Sequence, residues 1–536
     1  MTQRSFNLAD LLEIVTEVKP DQEALVCNDE RRTLRQLMER SAALARYLHA
    51  QGLRPGDNIG IHAYNCIEFM EASIAAFMIR AVPVNVNYRY TVEETRYVYD
   101  NAELKALVYE GGLEDIIAPA LDAAPACKIL VRLGTGKGLL PQAVGFEDAM
   151  SRSGPDITGI QRADSDTLLL YTGGTTGMPK GVIWTHKDVF FGGFGGGGNF
   201  CPQGPVTTPE ELAERVRENF PVVHMACGPL MHGAGFWATM IGLLSGHKVV
   251  LNGRPDFNAE YVLDMVQRER VTIIMVVGDA MCIPLADALQ KHPGRWDLSS
   301  IFVVSSAGAL FSDHVRDALK AHLPANAIFS NGMGSSESGQ VGTGAKPEGD
   351  GLIRLKPDAK NAVAIDGVRF GKVGETGILV RKGYLPLGYY KDPKKTAETF
   401  VQIEGQRCVL IGDIARQEED GSITMFGRNS QCINTGGEKV FTEEVEEAVR
   451  SFDGVFDALV VGVPDSRWGQ KVVAVVALRP DRAEDADALK AHCRQRLAGY
   501  KVPKDIIFVD EVRRNPVGKA DYRWAKATAE QRLTGA

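Results

Sequence analysis

Residues 171–182 read Tyr-Thr-Gly-Gly-Thr-Thr-Gly-Met-Pro-Lys-Gly-Val and follow directly on the apolar run Leu168-Leu169-Leu170. Such a stretch can cradle phosphate. Glycines at 173, 174 and 177 let backbone N–H groups turn inward, the hydroxyls of Thr172, Thr175 and Thr176 add donors, and Lys180 adds a positive charge. The Walker arrangement is excluded, because it needs Gly-Lys followed at once by Ser or Thr and the opening of a helix. Here Pro179 precedes the lysine and Gly181 follows it. An ordinary turn between two strands would seldom combine four glycines, three threonines and a Pro-Lys pair. A second glycine-dense stretch, Phe191 to Asn199, satisfies G-x-G-x-x-G at Gly193, Gly195 and Gly198. With so many glycines that match is nearly unavoidable, and no strand ends before it, so it reads as a mobile loop rather than a dinucleotide site.

The elements that must position such a loop follow an α/β rhythm. Leu34, Leu37, Leu44, Ala45 and Leu48 recur at helical spacing and stop at Gly52, after which Pro55-Gly56-Asp57 turns the chain into the strand-like Ile59-Gly60-Ile61. Thr91 and Glu94 form a capping box ahead of Tyr97 and Val98, leading to a strand at Ala106-Leu107-Val108. Further apolar strands are expected at 248–251, 272–277 and 301–304, alternating with helical stretches as in layered α/β sheets. Near residue 427 the texture changes. Residues 414–417 and 422–426 flank Glu418-Glu419-Asp420-Gly421, a hairpin with Asp-Gly at its tip. Beyond it a helix from Thr442, strands 458–463 and 472–478, and a helix near 487–497 make a compact unit. The expected domains are therefore 1–426 and 427–536.

A chain of 536 residues exceeds what one core usually supports. It is 44% hydrophobic and 24% charged without an apolar run long enough to cross a membrane, and its start lacks an apolar leader, so a cytoplasmic protein without integral membrane contact is expected. A net charge of −8 with no long basic block excludes nucleic acid as the main partner. The nine cysteines never form a C-x-x-C pair, which points to reduced, packed thiols rather than a disulfide or zinc framework.

The loop at 171–182 resembles the Thr-Ser-Gly-Thr-Thr-Gly-x-Pro-Lys-Gly loop of the adenylate-forming superfamily, which holds acyl-CoA synthetases, firefly luciferase and peptide-synthetase adenylation domains. It departs in one place, with Gly173 where the family usually has Ser. The resemblance runs from about Ala24 to Lys526 and brings further motifs in order. It implies an acyl-CoA synthetase/luciferase-like α/β fold, a large N-terminal domain of layered sheets with a small mobile C-terminal α+β domain. It also implies a chemistry: a carboxylate is a poor electrophile, and joining it to a thiol requires first a mixed anhydride with AMP as leaving group. The protein must hold triphosphate and Mg²⁺, fix the ribose, and bring a cation between two anions that have to meet.

By this resemblance each task has its residues. Ser336 and Glu337, in Ser335-Ser336-Glu337-Ser338-Gly339, match the aromatic-Gly-x-Thr-Glu motif, with Glu337 and Thr176 toward Mg²⁺ and Met333 at the aromatic position. Gly308 and Ala309 match the small-residue segment under the adenine. Asp413 matches the ribose-binding aspartate, Arg428 a nucleotide-contacting arginine, and Lys519, in Asn515-Pro516-Val517-Gly518-Lys519, the cation that bridges carboxylate and α-phosphate. Ser430 stands where a hinge Asp or Lys is common. Gly436, Gly437 and Lys439 match the hairpin that approaches the pantetheine arm of coenzyme A, and His232 the Pro-x-x-His position between acyl pocket and thiol tunnel. Gly334 would leave that pocket deep, since members acting on short acids carry Trp there.

Within the family the stretches Thr172 to Gly177, Gly334 to Glu337, Gly388 to Phe400, Gly436 to Val440 and Ala520 to Lys526 look closest to actinobacterial steroid side-chain acyl-CoA ligases. The implied activity is an ATP- and Mg²⁺-dependent ligase making acyl-AMP and then acyl-CoA from a bulky hydrophobic acid, steroid or terpenoid. Medium- or long-chain fatty acids and arylpropionates are the nearest rival substrates. An adenylation enzyme loading a carrier protein in trans and a non-catalytic nucleotide binder are the other classes. The expected partners are small molecules, a carboxylic acid, ATP and CoA, with a homodimer allowed.

Overall fold

The computed structural model describes residues 4–534 apart from 153, 173–177, 310, 346–351, 429–432, 436–437, 466–468, 481, 498 and 515–519. The chain divides into two compact units. The first comprises residues 1–311, 315–341 and 383–400, the second residues 312–314, 342–382 and 401–536.

The first unit is α/β, as the alternation of patterns implies. One sheet runs Gly388–Tyr389, Lys180–Thr185, Thr167–Thr172, Val82–Asn85, Asn58–His62, Ala106–Glu110, Ile129–Leu133, Val144–Gly145, parallel except for the hairpin of 167–172 with 180–185 and the short strand 388–389. Strand Asn58–His62 is buried along its whole length, the signature of a parallel strand covered on both faces. Gly60 suits that crowding, since a Cβ there would lie 2.8 Å from Leu104 Cδ1. Parallel strands of a second sheet include Lys248–Leu251, Val223–Ala226, Ile273–Val276, Val303–Ala307 and Ile328–Ser335. Helix Leu34–Ala50 buries Leu34, Leu37, Leu44, Ala45 and Leu48, the stripe its spacing predicts. It opens on a capping box of Thr33 with Gln36 that matches the one formed by Thr91 and Glu94 ahead of Val92–Asn101.

The glycine-dense stretch read as a mobile loop begins at the end of a helix and continues through a 3₁₀ turn. Helix His186–Gly192 and the 3₁₀ turn Gly195–Gly197 carry it, with Phe190, Phe191 and Phe194 buried. A Cβ on Gly192 would lie 2.6 Å from the carbonyl oxygen of Tyr384, and one on Gly198 2.4 Å from the carbonyl carbon of Gly204. Gly192 and Gly198 thus serve close backbone approach between aromatic anchors, while Gly195, Gly196 and Gly197 take left-handed φ of +74°, +61° and +76°.

The second unit contains the hairpin Gln406–Gln417 with Ile423–Arg428 and, further on, a sheet built on the long hairpin Val455–Asp465 with Gly469–Leu478. Strand Asp505–Val509 joins the latter in parallel. Alternation along these strands sends Val460, Val472 and Val476 toward helices Thr442–Arg450 and Ala486–Arg494, and Leu459, Val461, Val473 and Val475 toward helix Tyr522–Thr534. Glu446 is buried there against Arg450, accepts hydrogen bonds from the Val460 N–H (2.9 Å) and the Tyr522 hydroxyl (3.2 Å), and has its carboxyl pushed up to about 7 by burial.

Candidate functional site

The phosphate-type loop connects strands Thr167–Thr172 and Lys180–Thr185, an antiparallel hairpin of the first sheet. Thr172 pairs with Lys180 across it, and Leu170 with Val182. Gly173, Gly174, Thr175, Thr176 and Gly177 lie outside the described residues. At the loop's base the Tyr171 N–H donates to Asn85 Oδ1 (2.7 Å), and the Asn85 amide donates back to the Tyr171 carbonyl (3.2 Å) and to the Met231 carbonyl. Gly181 is dictated by the Tyr171 ring, which lies 2.8 Å from where a Cβ would be.

The strand that carries Lys180 also carries Trp184, a fully buried indole whose Nε1–H donates to the Ser336 carbonyl (2.8 Å). That bond ties the lysine strand to the turn that presents Glu337. The turn is knitted internally: Ser335 Oγ accepts from the Glu337 and Ser338 N–H groups (3.2 and 3.1 Å), and Ser338 Oγ accepts from the Ser335 N–H (3.0 Å). It closes on Gly339 at φ +69°, where a Cβ would strike the Gly192 carbonyl at 2.3 Å. Gly334, just before it, faces a similar constraint from Gly339 itself.

His232 precedes helix Gly233–Leu244 as its N-cap and is half-buried. A Cβ on Gly233 would lie 3.2 Å from Leu170 Cδ2 and 3.7 Å from Ser336 Oγ, so this helix start meets both the loop base and the Glu337 turn. Asn65 holds the preceding segment from behind, accepting from the Leu230 N–H (2.8 Å) and donating to the Gly228 carbonyl (3.3 Å). Gly308 and Ala309 follow strand Val303–Ala307 at its carboxyl end, beside Gly332 of the next strand. Gly308 has φ +81° with open space around its Cβ position, so backbone conformation rather than crowding calls for glycine. Carboxyl ends of parallel strands are where α/β sheets bind ligands.

Four side chains escape the sequence reading, two of them on one short segment. Tyr389, in the short strand Gly388–Tyr389, donates its hydroxyl to Glu337 Oε1 (3.1 Å), and Asp392 forms an ion pair with Lys180. Burial, reinforced by the Glu337 carboxylate, raises the Tyr389 phenol above its ordinary value and keeps it a donor. The hydrogen bond from Lys180 lowers the Asp392 carboxyl. Gly388 to Phe400 stood out in the sequence, but a tyrosine and a helix-capping aspartate carry no signal of their reach into the site. Asn85 and Trp184 were equally silent, since a buried Asn or Trp reads as core.

In the second unit Asp413 is buried in strand Gln406–Gln417 and its backbone pairs with Arg428. Lys439 pairs with Asn434 in the hairpin Ile433–Thr435 with Glu438–Val440. Gly436, Gly437 and Lys519 lie outside the described residues.

Among the described residues no group of three or more His, Cys, Asp or Glu side chains could hold a metal ion. Glu337 as a single hard carboxylate fits Mg²⁺, which commonly takes one or two carboxylates and completes its shell with water and substrate phosphates. No helix among the described residues is long and apolar enough to cross a membrane.

A family model described as AMP-binding enzyme matches residues 12–390, and one described as AMP-binding enzyme C-terminal domain matches residues 444–519. The 3-oxocholest-4-en-26-oate–CoA ligase of Rhodococcus rhodochrous is 42% identical over 97% of this chain and 96% of its own length. The medium/long-chain-fatty-acid–CoA/3-oxocholest-4-en-26-oate–CoA ligase of Mycobacterium tuberculosis is 41% identical over 98% of this chain and 97% of its own. Among solved structures, the anthranilate CoA ligase AuaEII in complex with anthranoyl-AMP superposes with a TM-score of 0.83, covering 98% of each chain at 23% identity, and so shares the fold.

Proposed function

The chain belongs to the AMP-binding enzyme family, and from that premise we propose that it is an ATP-dependent acyl-CoA ligase acting on a bulky hydrophobic carboxylic acid of the steroid side-chain kind. The observation that carries the reading is the end-to-end likeness, at 42% identity, to a ligase whose acid is a cholestenoate. A medium- or long-chain fatty acid is the second reading, favoured by the double name of the 41% identical mycobacterial relative.

The reaction is assigned in two steps. The acid's carboxylate attacks the α-phosphorus of ATP and displaces pyrophosphate, giving acyl-AMP; the CoA thiolate then attacks the acyl carbon and releases AMP. Lys180 and the loop at 172–177 hold the phosphates, where an ammonium and backbone N–H donors offset the charge. Glu337 holds Mg²⁺ that arrives on ATP, and the ion supplies charge neutralisation on the phosphate oxygens. Gly308 and Ala309 lie against the adenine, Asp413 accepts from the ribose hydroxyls, and Arg428 contacts the nucleotide. Lys519 is the cation that lets carboxylate and α-phosphate approach. Gly436, Gly437 and Lys439 meet the pantetheine arm, and His232 stands between acid and thiol. Residues 427–536 are taken as the functional C-terminal domain.

The test is a pyrophosphate-release screen over steroid, terpenoid, aryl and fatty acids, followed by thioester formation with CoA alone. Release with a steroid side-chain acid, and acyl-CoA formed without any carrier protein, is the expected result. Release confined to short acids, or acyl-AMP that reacts only with a carrier protein, would overturn it.

A further inference from the structure

Tyr389 and Asp392 are three residues apart, and one reaches the carboxylate and the other the ammonium of the proposed nucleotide site. Tyr389 donates to Glu337 Oε1 at 3.1 Å, while Asp392 Oδ2 pairs with the Lys180 ammonium. The segment between them is held rigidly. Residues 388 and 389 pair with Ile183 and Val182 of the lysine strand, and the Tyr390 N–H donates to the Gly181 carbonyl (2.7 Å). Asp392 caps helix Pro393–Thr399, with its other oxygen accepting from the Lys395 N–H (2.9 Å). Thr396, one turn on, donates its hydroxyl to the Asp392 carbonyl (2.8 Å) and accepts from the Tyr389 N–H (2.9 Å). Gly388 is required by this closure, because at φ +148° a Cβ would lie 2.4 Å from Thr396 Cγ2. The Tyr389 ring is 8% exposed and packs edge-on against Phe400, leaving its hydroxyl little freedom.

We propose that residues 388–396 form a positioning clip for the nucleotide site, in which Asp392 orients the Lys180 ammonium for phosphate and Tyr389 orients the Glu337 carboxylate for the phosphate-borne Mg²⁺. A lysine has four rotatable bonds and loses much rotamer freedom when fixed, so a partner that already holds it lowers that cost on nucleotide binding. The carboxylate takes up one of the three ammonium donors and leaves two for phosphate. The tyrosine bond uses one Oε1 lone pair and leaves Oε2 for the metal. Neither Tyr389 nor Asp392 is a catalytic residue; each acts through its neighbour. The inference rests on the nucleotide-binding reading of Lys180 and Glu337.

The two arms have different signatures, because Lys180 acts on phosphate with or without metal and Glu337 acts only through the metal. ATP is titrated calorimetrically into the full-length protein, without acid, in Mg²⁺ and again in EDTA. Asp392→Asn retains a good N-cap and removes only the charge. It is expected to weaken ATP binding by about five- to tenfold in both buffers. Tyr389→Phe is expected to leave the EDTA affinity within about twofold and to shrink the gain that Mg²⁺ brings by about fivefold. In a Lys180→Gln background, Asp392→Asn should add nothing further. Binding unchanged or tightened in Asp392→Asn, additive losses in the double variant, or equal losses in both buffers for Tyr389→Phe would overturn the clip. Failure of the unaltered protein to bind ATP in either buffer is a different result, and it would overturn the nucleotide reading together with the clip.

Discussion

A Cβ on residue 334 would stand 2.4 Å from the carbonyl oxygen of Gly339 and 3.4 Å from the Cα of Gln340. The glycine therefore has a reason independent of any substrate: the backbone on the far side of the Glu337 turn passes too close for a side chain. A tryptophan at this position in this chain must first push the turn apart, whatever it does to an acyl pocket. Overpacking of this kind costs about 1–3 kcal/mol. Gly334→Trp is accordingly expected to lower the melting temperature and to depress pyrophosphate release with short and bulky acids alike, because Glu337 moves with the turn. Turnover of acids from acetate upward, beside a melting curve, checks this. A clean gain of short-acid activity at unchanged stability would show that the turn yields and that the side chain simply shortens the pocket.

The bond from Trp184 to the Ser336 carbonyl is the direct tie between the strand of Lys180 and the turn of Glu337. Trp184→Phe keeps a ring against Gly192 and Gly339 but removes the donor, leaving a carbonyl without its indole partner at a cost of about 1–3 kcal/mol. Adenylation, followed as exchange of labelled pyrophosphate into ATP, is expected to fall by about tenfold or more, since small misplacements at a reacting centre are expensive. The melting temperature should drop by only a few degrees. A loss of stability with exchange intact would mean that the indole supports the core and not the site.

Much of the fold, and the stretches that make up part of the candidate site, are legible in the sequence. Helix Leu34–Ala50, the Thr91–Glu94 capping box and the long hairpin beyond 455 follow from periodicity and local hydrogen-bond chemistry, which act over a few residues. Lys180, Glu337 and His232 sit in stretches of unusual composition, and the structure brings those stretches together through Trp184, Gly233 and Leu170. What escaped notice depends on long-range convergence. Asn85 reaches Tyr171 and Met231, and Asp392 reaches across 212 positions of sequence to Lys180. Nothing in the neighbours of such residues distinguishes a buried amide that clamps a site from one that fills a core. The glycines at 192–198 are ambiguous in sequence for a related reason: glycine density is the same whether the backbone needs left-handed φ, as at 195–197, or close approach, as at 192 and 198.

Lys519 is the residue on which the two half-reactions should part. Bridging two anions matters while the acyl-phosphate bond forms, and the later attack of the thiol on acyl-AMP has no such pair to bring together. Lys519→Ala is therefore expected to cut acid-dependent pyrophosphate release by at least about a hundredfold, while acyl-CoA formation from supplied acyl-AMP stays within about tenfold of the unaltered protein. Equal losses in both assays would remove the bridging role.

Glu446 makes a prediction about stability whose sign is opposite to that of the buried histidines. Its carboxyl is raised from an ordinary value of 4.5 to about 7 in the folded chain, chiefly by burial. Between those values the folded state binds more protons than the unfolded one, so this group's contribution to stability falls as the pH rises from 4.5 to 7 and is level above that. The full swing is about 3 kcal/mol at 1.36 kcal/mol per unit. Buried histidines pull the other way. Desolvation lowers His62 and His247 to about 3 and His186 and His224 to about 4. Each therefore costs stability as the pH falls below the ordinary histidine value of 6.5. The raw pH curve sums these with every other shifted group, Glu71 and Glu269 among them, so the informative quantity is the difference between the unaltered protein and Glu446→Gln, which keeps a carbonyl to accept from the Val460 N–H and carries no charge. Urea midpoints measured from pH 5 to pH 8 should show the glutamine variant gaining relative to the unaltered protein as the pH rises, with the gain complete by about pH 7.5. A difference that stays flat across that range would mean that Arg450 holds Glu446 ionised throughout, as a buried ion pair rather than a neutral acid.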